Sequence, residues 1–220
     1  TPLYSSAASD VYKRQGQDHV IHTRMSEIQQ SQADTAQNTP RYHLRKTVVM
    51  VGMMGAGKTA VGRALAAKLG VPFVDSDHEI EAAANLTVPE IFERDGEPFF
   101  RKRETEVISR LLDKEPGILS TGGGAFLAEA NRENISARGV SVWLDADLDL
   151  LWNRVRYKTS RPLLRTADPR GTLTELYEKR VPIYRLADMT VASTPALSID
   201  AMAQRVVDAL ADRPDVLEVL

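Results

Sequence analysis

Gly52-Met53-Met54-Gly55-Ala56-Gly57-Lys58-Thr59 fits the pattern G-x-x-x-x-G-K-[ST]. Upstream lies the continuous apolar run Thr47-Val48-Val49-Met50-Val51, the texture of a strand buried on both faces of a parallel sheet. Downstream, Val61, Ala64, Leu65 and Leu69 fall at helical spacing, and Gly70 is placed to close that helix. The glycines let backbone N–H groups converge on an anion with no Cβ in the way. The helix starting there points its positive end at the same spot. Lys58 then reaches the β- and γ-phosphates, and the Thr59 hydroxyl can ligate Mg²⁺. A chance match occurs roughly once per hundred chains of this length at ordinary residue frequencies. With strand and helix on either side, the reading is a nucleoside triphosphate cradle.

The remaining chain alternates in the same way. Phe73-Val74 reads as a short strand ending in Asp75-Ser76-Asp77, and Thr87-Val88-Pro89-Glu90 has capping-box spacing for a short helix. A longer helix is expected from about Glu97 to Leu112, followed by a strand over 117–121 that meets Gly122-Gly123-Gly124. Strands are expected over 140–144 and 189–191, and helices are lined by Leu148, Leu151, Trp152 and Val155, then by Ile199, Met202, Val206 and Leu210. Another helix follows the polar stretch from Tyr157 to Gly171. Alternating strands and helices imply an α/β fold with right-handed crossovers and a parallel sheet covered on both faces.

Composition narrows the class. Among 220 residues, 28 Lys and Arg against 30 Asp and Glu give a net charge of −2, without the basic excess of a nucleic-acid binder. There is no cysteine, which excludes a disulfide scaffold, a thiolate zinc site and a cysteine nucleophile. No stretch approaches the roughly 18 apolar residues of a membrane span, so a soluble cytoplasmic domain is expected. Residues 1–45 are Ser-, Gln-, Ala- and Asp-rich without sustained periodicity, and are expected to be a disordered extension outside the 46–220 domain. Met25 is the expected native start, which would make Thr1 to Arg24 a remnant of gene assembly.

Several residues stand where a second ligand would bind, outside the carboxyl ends of the strands. Asp75 and Asp77 could hold Mg²⁺ and accept a proton from an attacking hydroxyl, or Asp77 could simply cap the next helix. Arg101 continues the inward stripe of its helix, so it either pairs with Glu104 three residues on or grips a bound carboxylate with its two-pronged guanidinium. Gly122-Gly123-Gly124 is a close-approach loop or a plain one. Ser160-Arg161-Pro162-Leu163-Leu164 is a solvated loop or a lid whose arginine swings over a transferring phosphoryl group. Arg180 is an exposed helix-end cation or a second anion clamp. The absence of an Asn-Lys-x-Asp element argues against a guanine-nucleotide switch, and the size suits a small-molecule kinase.

In order, G-M-M-G-A-G-K-T, D-S-D, F-R-K-R-E, the triple glycine, R-P-L-L and R-V-P-I-Y resemble the shikimate kinase family over roughly Lys46 to Leu210. The resemblance implies a three-layer P-loop kinase fold: a five-stranded parallel sheet of order 2-3-1-4-5, helices on both faces, and a mobile lid at about 157–171. It implies transfer of the γ-phosphoryl group of ATP to the 3-hydroxyl of shikimate, with Mg²⁺, by a cytoplasmic monomer in the route to chorismate. ATP would lie on Gly55, Ala56, Gly57, Lys58, Thr59 and Ala60, with Arg154 against the adenine and Arg161 on the γ-phosphate. Thr59 and Asp75 would serve the metal, and Asp77 would hold the ring hydroxyls and act as base. Arg101 and Arg180 would grip the carboxylate, while Gly122, Gly123 and Gly124 approach the ring. Lys58, Asp77 and Arg161 would form the catalytic set. The rivals are a gluconate kinase-like phosphotransferase and a non-catalytic nucleotide-binding module.

Overall fold

The computed structural model describes residues 41–157 and 162–220. Tyr42–Leu220 form one unit and Thr1–Arg41 another, of which only Arg41 is among the described residues. Within the larger unit the strands are β1 (Tyr42–Leu44), β2 (Thr47–Val51), β3 (Phe73–Asp75), β4 (Ile118–Ser120), β5 (Gly139–Ala146), β6 (Met189–Ser193) and β7 (Leu217–Val219). The helices are α1 (Lys58–Leu69), α2 (Ser76–Ala84), α3 (Val88–Asp95), α4 (Glu97–Leu112), α5 (Glu129–Arg138), α6 (Leu148–Val155), α7 (Pro169–Tyr184) and α8 (Ile199–Ala211). Single 3₁₀ turns occupy Ala125–Leu127 and Pro162–Leu164. No helix among the described residues is long and apolar enough to cross a membrane.

Five strands form one parallel sheet in the order β3-β4-β2-β5-β6, the expected 2-3-1-4-5 when only these five are counted. Every residue of β2 is buried, because helices cover it on both sides. That explains its unbroken apolar run: a central strand has no solvent face on which polar residues could alternate. The main core joins this sheet to α1, α4, α7 and α8 through residues such as Leu65, Ile108, Leu144, Leu173 and Val206. A second, smaller core of Ile80, Ile91 and Phe100 binds α2, α3 and α4 to one another.

The expected boundaries hold where local signals are strong. Gly70 ends α1 in the left-handed conformation, at φ 66° and ψ 33°. Thr87 and Glu90 form a complete capping box at the start of α3. Three features depart from expectation. Helix α5 was not foreseen, since only Asn131 and Ile135 of its ten residues are buried and its apolar stripe is nearly absent. Strand β5 runs longer than expected, because it pairs with neighbours on both sides.

The third departure is β1, which falls inside the stretch set aside as an extension and pairs antiparallel with β7. Leu44 and Leu217 face each other there and are both buried. Arg45–Glu218 and Lys46–Asp215 ion pairs, at 2.6 and 3.0 Å, flank the ribbon. These pairs are exposed, so the apolar contact supplies most of its stability.

Candidate functional site

The loop between β2 and α1 is shaped by its glycines. Gly57, the N-cap of α1, sits at φ 98°, a conformation a side chain at that position would resist. Lys58 is 9% exposed and folds back so that its Nζ donates to the carbonyls of Gly52 and Met53, at 2.9 and 3.1 Å. Thr59 Oγ1 donates to Asp75 Oδ2 at 3.1 Å and lies 3.3 Å from Ser120 Oγ. Arg154, on α6, donates to the carbonyls of Gly55 and Ala56 at 3.2 and 3.3 Å. A pocket of about 430 Å³ opens over this loop, and Gly55–Ala60, Asp75, Asp77, Gly122, Gly123 and Arg154 all line it. Ser193, Leu197, Ser198, Ile199 and Met202 complete its lining, and sequence reasoning gave none of them a role in the site. The signal was their place just past the carboxyl end of β6, where such ligands sit.

The two aspartates divide in a way that spacing alone left open. Asp75, not Asp77, caps α2: its Oδ1 accepts the N–H of Asp77 at 3.1 Å. Asp77 is thereby released from capping and points into the protein, with Oδ1 buried and unpartnered. Burial pushes its pKa up to about 6; Asp75 and Glu81 push the same way, and Lys58 and Arg101 pull against them.

Arg101 makes the side-chain pairing that its position allows. Its Nη1 donates to Glu104 Oε2 at 2.7 Å and its Nη2 to Glu97 Oε1 at 3.1 Å. Glu104 has no exposure, and desolvation lifts its pKa to about 7 despite the arginine beside it. Its other oxygen, Oε1, is buried and unpartnered. One carboxylate oxygen of the pair therefore still lacks a donor.

The three glycines make room for protein side chains. A Cβ on Gly122 would lie 2.8 Å from Asp77 Oδ1 and 3.3 Å from Glu104 Oε1, the two orphaned oxygens. A Cβ on Gly124 would lie 2.4 to 2.7 Å from the Arg101 guanidinium. A Cβ on Gly123 would touch Arg180 Nη1 at 3.7 Å. Arg180 is thus no exposed helix-end cation: it is 9% exposed and faces the same loop. Further along, Asn131 Nδ2 donates to the Ala125 carbonyl, and Arg132 Nη1 to those of Phe126 and Leu127, at 2.8 to 2.9 Å. The Tyr184 hydroxyl donates to the Gly123 carbonyl. Tyr184 was missed, though its place four residues after Arg180 on one helix face was visible.

Two clusters result, sharing the triple glycine. One is the phosphate cradle with Thr59, Asp75 and Asp77; the other sets Arg101 and Arg180 over Gly124 and Gly123. Arg161 and the neighbouring residues 158–160 lie outside the described residues. A hydroxyl beside one carboxylate is a donor set that suits Mg²⁺, which takes few protein oxygens and completes its shell with phosphate oxygens and water.

Comparison with known proteins returns one consistent family. A family profile described as Shikimate kinase matches residues 54–211. A shikimate kinase from Ruegeria pomeroyi is 66% identical over 194 residues, covering 88% of this chain and 99% of the relative. One from Cereibacter sphaeroides is 65% identical over 175 residues, covering 80% and 87%. Among solved structures, a shikimate kinase from Acinetobacter baumannii in complex with shikimate superposes with a TM-score of 0.72. It is 40% identical and covers 76% of this chain and 93% of that one.

Proposed function

The chain belongs to the shikimate kinase family, and from that premise we propose how its own residues carry the transfer of the γ-phosphoryl group of ATP to the 3-hydroxyl of shikimate. The observation that carries the proposal is the shared loop: Gly122–Gly124 touches an unpartnered carboxylate at the phosphate cradle on one side and two inward arginines on the other.

ATP lies in the pocket above α1, its phosphates held by Lys58 and the N–H groups of Gly55, Ala56, Gly57, Thr59 and Ala60. Arg154, already fastened to the cradle carbonyls, forms the side of the pocket toward the base. Thr59 and Asp75 would hold Mg²⁺, which would supply charge neutralisation for the phosphates. Shikimate brings one carboxylate and three hydroxyls. Arg101 and Arg180 take the carboxylate, since planar guanidinium forks match it with paired hydrogen bonds. Glu104 holds Arg101 in place for that contact.

Asp77 receives the hydroxyl that attacks. Its unpartnered Oδ1 accepts the hydroxyl proton, and a pKa near 6 leaves it ionised yet basic at neutral pH. The role left for Arg161 is to offset charge on the phosphoryl group as it moves. The rest is positioning, because phosphoryl transfer needs alignment and charge stabilisation more than covalent help. One chain supplies every side chain in this scheme, which supports action as a monomer. Dependence on ATP supports a cytoplasmic setting.

ADP release measured with shikimate, with gluconate and with neither tests the assignment. Release dependent on shikimate is expected. Turnover on gluconate, or nucleotide binding without turnover on either acid, would refute it.

A further inference from the structure

We propose that Tyr184 is a positioning residue for the acceptor: its hydroxyl holds the Gly123 carbonyl, in the loop that Arg180 lies against, and so presets the second arm of the carboxylate grip. The inference rests on the reading that Arg180 binds the shikimate carboxylate.

Tyr184 ends α7, four residues after Arg180, so the two side chains share one face of the helix. The ring has no solvent exposure and stacks on Trp143 of β5, with centroids 6.3 Å apart and planes inclined by 25°. That packing leaves the hydroxyl one place to go. It donates to the carbonyl of Gly123, in the loop after β4. The Arg180 guanidinium lies near the same hydroxyl, and its charge draws the phenol pKa down against the effect of burial. Arg180 also passes Gly123 directly, 3.7 Å from where a Cβ would stand.

One hydroxyl therefore ties the end of α7 to a loop 61 residues earlier, at the point that Arg180 passes. Burial pushes the phenol pKa up to about 12, so the proton stays in place throughout the working range of an enzyme. Without the hydroxyl, the Gly123 carbonyl loses its donor, and the loop that holds the Arg180 guanidinium in place is released. A long arginine side chain released in this way must be ordered again each time substrate binds.

Tyr184→Phe removes only the oxygen and keeps the ring on Trp143. Three readouts are compared: KM for shikimate, KM for ATP with kcat, and melting temperature. The expected result is a KM for shikimate raised about tenfold or more, the scale of a hydrogen bond to a charged group. KM for ATP and kcat should stay within about twofold. In an Arg180→Ala background the same change should add nothing further to KM, because the residue to be aimed is gone. A lower melting temperature with KM for shikimate unmoved would overturn the proposal, since it would make the hydroxyl purely structural. So would full additivity with Arg180→Ala. An Arg180→Ala variant with normal KM for shikimate would overturn the reading of Arg180 itself, and this inference with it.

Discussion

Asp77 stands in a conflict that its neighbours create. A carboxylate buried with one oxygen unpartnered is costly to keep ionised, yet only the ionised form can take a proton. Its folded pKa of about 6 lies above the ordinary 3.8, so the folded state binds this proton more tightly than the unfolded chain does. Burial of this group therefore lowers stability as pH rises from about 4 to about 6, and the full cost remains above that window. Asp77→Asn should lower kcat by about 10²- to 10⁴-fold. The same variant should melt higher than the parent at pH 8, by about 2–4 °C for each kcal/mol recovered. At pH 5 that gain should shrink sharply, because the parent side chain is then largely protonated. Parallel thermal melts and a coupled assay check both halves. Arg161→Ala should lower kcat by about 10³-fold or more while leaving the melting temperature unchanged. Near-normal turnover would remove Arg161 from the mechanism.

Among the elements, the loop of three glycines carries the most information. Gly124 adopts φ −94° and ψ −16°, which any residue can adopt, so its glycine identity answers to space and not to backbone freedom. The space is filled by the Arg101 guanidinium. Gly124→Ala should displace that guanidinium and raise KM for shikimate by roughly ten- to a hundredfold, with KM for ATP and stability little changed. Steady-state kinetics with each substrate varied in turn reads the difference. The partition follows from the packing, since Arg101 belongs to helix α4 and the small core it shares with α2 and α3. The nucleotide loop belongs to the main core.

For the unit Tyr42–Leu220 as a whole, the β1–β7 ribbon ties its first strand to its last. Removing Thr1 to Gln37 should leave activity and melting temperature unchanged. Removing eight more residues, through Arg45, takes away β1 and uncovers Leu217 and Val216, which are 1% and 0% exposed. Loss of Leu44 and exposure of these side chains should cost about 2–5 kcal/mol, the scale of a large apolar residue deleted from a core. Chemical denaturation of the two truncated proteins checks this. Equal stability would show that the ribbon contributes nothing.

Local chemistry made much of this legible in advance. The cradle follows from Gly57, Lys58 and Thr59 between an apolar run and a helical stripe. The start of α3 follows from Thr87 and Glu90, and the parallel sheet from the regular alternation of strand and helix. These features depend on residues within a few positions of each other, so propensity and spacing suffice to find them. Other features hang on contacts between residues far apart in the chain, which no window of sequence contains. Tertiary packing chose Asp75 over Asp77 as the cap, buried Arg180 against Gly123, set Arg101 over Gly124, and paired Tyr42–Leu44 with Leu217–Val219. The physical reason is desolvation: whether a charged or polar side chain caps, pairs or waits for substrate depends on which neighbours exclude water from it, and folding brings those neighbours together.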